Sequence, residues 1–320
     1  MEESTIMRRF HPRFAIAAVA LAMVLVQPAR ADEKADRAKA VTALQNGDYA
    51  TALTVFRPLA EKGDSYAQFV LGQMAEQGAG VAQNYREAGR WYKLAADAGE
   101  PDAMTNLGFL YEQGKGVPQD YKAAVDLYKK AAEAGNAVAQ TNLANVYFEG
   151  KLTGQDDKEA ARWYAKAAAQ GDPAAQFNLA RMVERGRGVD KDPARAIALY
   201  TESANAGFAA AQLNLGVCYA EGRAVAKNVV EAHKWFNLAA SSAEDPDTQQ
   251  NASRNRDRVA KQMSAEEIAR AQTLAREWKP AAAIAPVAPP PGKEIVAPRA
   301  VGKEVVAPRA VGQQDTATPK

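Results

Sequence analysis

A glycine recurs every 36 residues along this chain, at Gly63, Gly99, Gly135, Gly171 and Gly207. Other positions keep the same step. Leu71, Leu107, Leu143, Leu179 and Leu215 form one column, and Gly78, Gly114, Gly150, Gly186 and Gly222 form another. Asn84, Asp120, Asp156, Asp192 and Asn228 form a third, which Asp48 extends backwards by one step. A fixed period of this size means a tandem array in which each unit packs on its neighbours.

Each period reads as two helices, so the predicted fold class is all-α. Helix A starts just after the first glycine and carries Ala67, Ala103, Ala139, Ala175 or Ala211, with the leucine column four residues on. Helix B opens after the Asx column, whose side chains accept hydrogen bonds from the free N–H groups of the first turn. In the second unit Ala124, Leu127, Tyr128, Ala131 and Ala132 fall at i, i+3, i+4, i+7 and i+8, one buried stripe. The closing glycine suits the left-handed residue after a helix, where a Cβ is penalised.

The stretch NLGFLYEQGKGVPQDYKAA, residues 106–124, sets Gly114-Lys115-Gly116 between two such helices. Glycines beside a lysine suggest a phosphate cradle. That cradle follows a strand and needs one lysine in one place. Here the loop follows a helix, recurs as Gly78/Gly80 and Gly186/Gly188, and has Ala79 and Arg187 where Lys115 stands. The glycines are read as the turn between helices A and B.

The chain has 320 residues and a net charge of +2, which argues against a nucleic-acid partner held by basic patches. Its start reads as a targeting signal. Arg8, Arg9 and Arg13 precede an apolar run at 14–26, and Ala29-Arg30-Ala31 fits a small-x-small cleavage site. The run is too short to span a bilayer, and no second one is long enough. The expectation is export through the Sec route, cleavage before Asp32 and a periplasmic location. Cleavage would remove four basic and two acidic residues, leaving 36 of each.

The array resembles the Sel-one-like repeat family, relatives of the tetratricopeptide repeats. The stretch AMTNLGFLYEQGKGVPQDYKAAVDLYKKAAEAG, residues 103–135, and its copies carry the likeness. It covers residues 63–242 as five units, with a degenerate unit or cap at 32–62. The third unit departs, with GKLTGQDD in place of the G-x-G-V turn. The resemblance implies a right-handed α-solenoid of tandem helix-turn-helix units. Residues 243–279 read as two capping helices, the second opening at Ser264 with Glu267 as a capping box. Residues 280–320 are rich in Ala and Pro, carry GKEIVAPRAV and GKEVVAPRAV, and read as a disordered tail. A flexible spacer is the plainer use of that tail. Its V-V-A and I-V-A segments would otherwise suit strand addition to a partner's sheet edge.

Catalytic signatures are sparse. After cleavage His233 is the single histidine, and it falls in a column of Gly89, Val125, Ala161 and Ile197. Cys218, the only cysteine, matches Met74, Leu110, Val146 and Met182, an apolar column that suits a buried inert thiol. Glu76, Glu112 and Glu184 share a helix A column, and Trp91, Trp163 and Trp235 a helix B column read as core. No motif calls for a metal or an organic cofactor. The chain is therefore read as a non-enzyme. The competing reading is a cell-wall-active enzyme, β-lactamase-like or directed at peptidoglycan. Relatives described that way carry paired cysteines in each unit, which this chain lacks.

The resemblance places helix A on a concave groove, which gives a protein or peptide as partner. Asn106, Asn142, Asn178 and Asn214 then point inward, either to bond an extended peptide or to tie neighbouring units together. Two variable columns flank them and add Phe109, Asn145, Arg181 and Phe177, with Phe148 standing where other units have Glu. Aromatic side chains at such places can be anchors or local packing. The family's envelope members suggest scaffolding of secretion or exopolysaccharide machinery, or restraint of a sensor kinase.

Overall fold

The computed structural model describes residues 31–150 and 154–281, with side chains from residue 36 onward. Most of the expected signal peptide and nearly all of the Ala/Pro-rich tail lie outside the described residues, as do positions 151–153 of the third unit's turn. Among the described residues there are helices and no strands. Two compact units divide the chain, one ending at residue 155 and the other starting at 156.

The first unit holds α1 (Ala31–Gln45), α2 (Tyr49–Glu61), α3 (Ser65–Gln77), α4 (Tyr85–Asp97), α5 (Pro101–Gln113), α6 (Tyr121–Glu133) and α7 (Ala137–Glu149). The second holds α8 (Asp157–Ala169), α9 (Pro173–Arg185), α10 (Pro193–Asn205), α11 (Ala209–Glu221), α12 (Val229–Ser242), α13 (Pro246–Ala260) and α14 (Ala265–Glu277). Within each unit a helix packs chiefly on the helices before and after it, the nearest-neighbour pattern of an all-α solenoid.

The Asx column does what its position predicts. Asp48, Asn84, Asp120, Asp156, Asp192 and Asn228 each cap a helix, accepting from N–H groups of the first turn. The glycine column ends the A helices in left-handed conformation, from Gly78 at φ 74° to Gly222 at φ 72°. The second loop glycine has a further cause. A Cβ on Gly116 would overlap the backbone of Tyr85, and one on Gly188 would overlap that of Asp157. Each of these loops is thus seated on the first residue of the preceding B helix. No phosphate cradle forms. Instead Lys115 lies over the rings of Tyr85 and Phe109, at 5.5 and 5.2 Å.

Two recurring polar contacts hold the array together. A glutamine at the start of helix A donates to a carbonyl in the last turn of the preceding B helix: Gln68 to Ala60, Gln140 to Ala132, Gln176 to Ala168 and Gln212 to Ala204. Within a hairpin, a buried tyrosine of helix B donates to a glutamate of helix A. The pairs are Tyr92–Glu76 at 2.7 Å, Tyr128–Glu112 at 2.9 Å and Tyr200–Glu184 at 3.0 Å. Burial and the adjacent carboxylate push the phenols of Tyr128 and Tyr200 well up, so both stay protonated donors. The last hairpin has Ala220 and Phe236 in these two columns. Both partners of the bond are replaced at once by apolar residues, leaving no orphan.

The chain after α12 folds back on it. α13 packs on α11 and α12, and α14 packs on α12. The Ser264–Glu267 capping box opens α14, with both reciprocal bonds formed. Trp278, just past α14, meets the Trp235 ring edge-on at a centroid distance of 6.4 Å, and Ala281 N–H donates to the Asn205 carbonyl.

Candidate functional site

The polar and variable residues of helix A follow from its register, and burial separates them. In the first unit Asn106 and Asn142 are 4% and 2% exposed, while Phe109, Asn145 and Phe148 are half-buried. Asn106 Oδ1 is buried without a hydrogen-bond partner. In the second unit Asn178 and Asn214 are half-buried, and Arg181 is 8% exposed.

Phe177 does not line a surface, contrary to the expectation from its variable column. It is 1% exposed and packs against Tyr200 and Phe208, at centroid distances of 5.9 and 5.4 Å. Its whole column is buried: Phe69, Thr105, Thr141 and Leu213 are at 1% or less. The variation there is compensated packing. Where the column holds Thr105, its hydroxyl donates to the Pro101 carbonyl and toward Asn136 Oδ1.

Arg181 is the most unusual of the expected residues. It sits one turn beyond Phe177 on α9, with its guanidinium 5.6 Å from that ring's centroid. No carboxylate among the described residues pairs with it. Burial first, and then the nearby Arg185, hold its pKa below the usual arginine value. The neighbouring charges are already engaged, with Arg187 on Asp157 at 2.8 Å and Glu184 on Tyr200 and Arg223. A largely desolvated guanidinium with one aromatic face covered has its edge donors left for an anion. Asn178 lies on the same face, three residues before it, and offers a donor and an acceptor.

The other titratable candidates are core groups. Cys218 is 2% exposed, and burial raises its thiol pKa to about 11, which suits an inert thiol. His233 is 4% exposed with an unpartnered Nδ1, and burial followed by Arg256 lowers its pKa. Among the described residues no three His, Cys, Asp or Glu side chains gather as a metal-binding group, and no helix is long and apolar enough to cross a membrane.

Sequence reasoning missed the Gln–carbonyl ties and the Tyr–Glu pairs. Their signal was present, as a Tyr column at Tyr92, Tyr128, Tyr164 and Tyr200 running beside the Glu column.

Comparison with known proteins matches this arrangement. A family model described as Sel1 repeat matches residues 65–100, 101–136, 137–172, 173–208 and 209–243. No curated protein matches the sequence. Among solved structures, the chain is similar to c5321, a protective antigen of uropathogenic Escherichia coli strains displaying an SLR fold. The identity is 34% and the TM-score 0.69, over 77% of this chain and 53% of that one, so the match spans about half of the antigen. It is also similar to a Sel1 repeat protein from Oxalobacter formigenes. There the identity is 31% and the TM-score 0.64, over 76% of this chain and 99% of that one.

Proposed function

The chain belongs to the Sel1 repeat family, and from that premise we propose that it is an exported, non-catalytic scaffold whose A helices bind a protein or peptide in the periplasm. The proposal follows the repeat architecture, which offers extended surfaces built from equivalent positions. Arg181 is the observation that carries it: an arginine only 8% exposed and without a carboxylate partner among the described residues. A bound segment with an acidic side chain or a terminal carboxylate satisfies that charge, and Asn178 and Asn214 bond its backbone. Export rests on the Arg-rich start, the apolar run and the small-x-small site. Envelope signalling and the assembly of secretion or exopolysaccharide machinery are the settings such a scaffold fits.

The test is site-specific capture in the native cell envelope. A photoreactive residue replaces Asn178, and the same probe at the exposed Lys158 of α8 serves as control. A discrete adduct from position 178 that disappears with Arg181→Gln is expected. Equal adducts from both positions, or an adduct indifferent to Arg181→Gln, would refute the assignment.

A further inference from the structure

The seat of α14 has a copy elsewhere in the chain. α14 rests on the outer face of α12, where Trp235 and Leu238 are 4% and 8% exposed. The margin of the seat is the end of α10. The Asn205 carbonyl accepts from Ala281, and among the described residues Trp278 is the one group within 4 Å of a Cβ placed on Gly207. From α14 the stripe that enters is small and then aromatic: Ala271, Ala275 and Trp278, at i, i+4 and i+7. Ala275 joins Trp235 and Leu238 in one core cluster, with Trp278 packed against it.

Four repeats earlier the same positions recur in the first unit. Residues 87–96 of α4 read EAGRWYKLAA, and residues 231–240 of α12 read EAHKWFNLAA. Trp91 and Leu94 therefore stand where Trp235 and Leu238 stand, and Gly63 where Gly207 stands. Nothing covers them among the described residues. Leu94 is 49% exposed, one of two large apolar side chains so exposed among the described residues, Trp91 is half-buried, and a Cβ on Gly63 meets none of their atoms within 4 Å. The next seat along, between α4 and α6, holds a cavity of about 460 Å³, lined by Asp97, Gly99 and Leu127 at the positions of Asn205, Gly207 and Trp235.

 That cavity is also lined by Met104, Leu107 and Tyr111, and its Gly99 corner corresponds to Gly207, beside which the Trp278 ring lies at the C-terminal seat.

We propose that the Trp91–Leu94 face of α4 is a docking site for an amphipathic helix of a partner protein, one carrying the Ala-x3-Ala-x2-Trp stripe that α14 presents to α12. The chain's own α14 shows which chemistry covers this face. Small residues let the helix approach closely, and the aromatic ring packs edge-on against the seat's tryptophan. The surface is separate from the A-helix residues around Arg181.

The probe is a C-terminally amidated peptide of residues 264–281 with a fluorophore on its N-terminal amine, titrated with the full chain and followed by anisotropy. Saturable binding is expected. Leu94→Glu in the protein, or Trp278→Ala in the peptide, should weaken it by about tenfold or more, as the loss of one buried apolar side chain implies. Leu94 is half-exposed, so that variant keeps its fold, which far-UV circular dichroism checks. Three results would overturn the proposal. One is no binding. Another is binding unchanged by Leu94→Glu, which means that the peptide displaces the chain's own α14. The last is self-association of the chain abolished by Leu94→Glu, which assigns the face to a second copy.

Discussion

Replacing Glu76 by Ala and Tyr92 by Phe, singly and together, copies into the first hairpin the Ala220–Phe236 pair found in the last. Tyr92 is 0% and Glu76 6% exposed, and their bond is 2.7 Å long. A hydrogen bond to a charged group is worth about 1.5–3 kcal/mol net. Tyr92→Phe should therefore cost about 2 kcal/mol, because the carboxylate loses a donor and has little access to water. Glu76→Ala should cost about 2–3 kcal/mol, since it removes the acceptor of the buried phenol together with packing. The double variant removes both partners and should cost about as much as either single change, a coupling of about 2 kcal/mol. Urea unfolding followed by circular dichroism gives the midpoints, and unchanged slopes license the comparison. Amide exchange in α3 and α4 locates the effect. Additive costs would refute the reasoning, since they would mean that the hydroxyl and the carboxylate contribute independently.

Gly116→Ala should destabilise by about 2 kcal/mol or more, because a Cβ there meets the Tyr85 backbone, whereas Gly135→Ala, with a similar positive φ but open space, should cost about 1 kcal/mol; thermal melts compare them. Cys218 should resist a thiol reagent in the folded chain and react fully in urea, as its burial and its raised pKa imply. His233 has its pKa lowered in the fold, so the unfolded chain binds its proton first. Its contribution is intact above the unfolded value of about 6.5 and falls as pH drops through the window below it, and urea midpoints across that range should lose part of their slope in His233→Val.

The repeat, its helices and their caps were legible because they depend on local chemistry: a side chain capping its own helix, a glycine ending it. Contacts that join two columns were harder to see. The Tyr–Glu pair needs the spatial fact that positions sixteen residues apart in a hairpin face each other. Phe177 misled for a related reason, since a column that varies in type while staying buried looks like a variable surface. The periodicity places the tryptophan column in the core, but Trp235 is covered by α14 and Trp91 is only half-buried. One sequence position can thus be interior or surface depending on what the chain brings to it from far away.

The glutamine ties reach back only eight residues, and the loops of Gly116 and Gly188 are seated on the hairpin just before their own. A gain or loss of one whole 36-residue unit between regular repeats would therefore meet a matching seam on both sides. Duplication or deletion of units is a low-cost genetic event for this chain, so the length of the array can drift between descendants while each junction stays the same. Only the ends resist such drift. α14 recognises Trp235 and Leu238, and a terminal unit without that pair would leave the array unclosed.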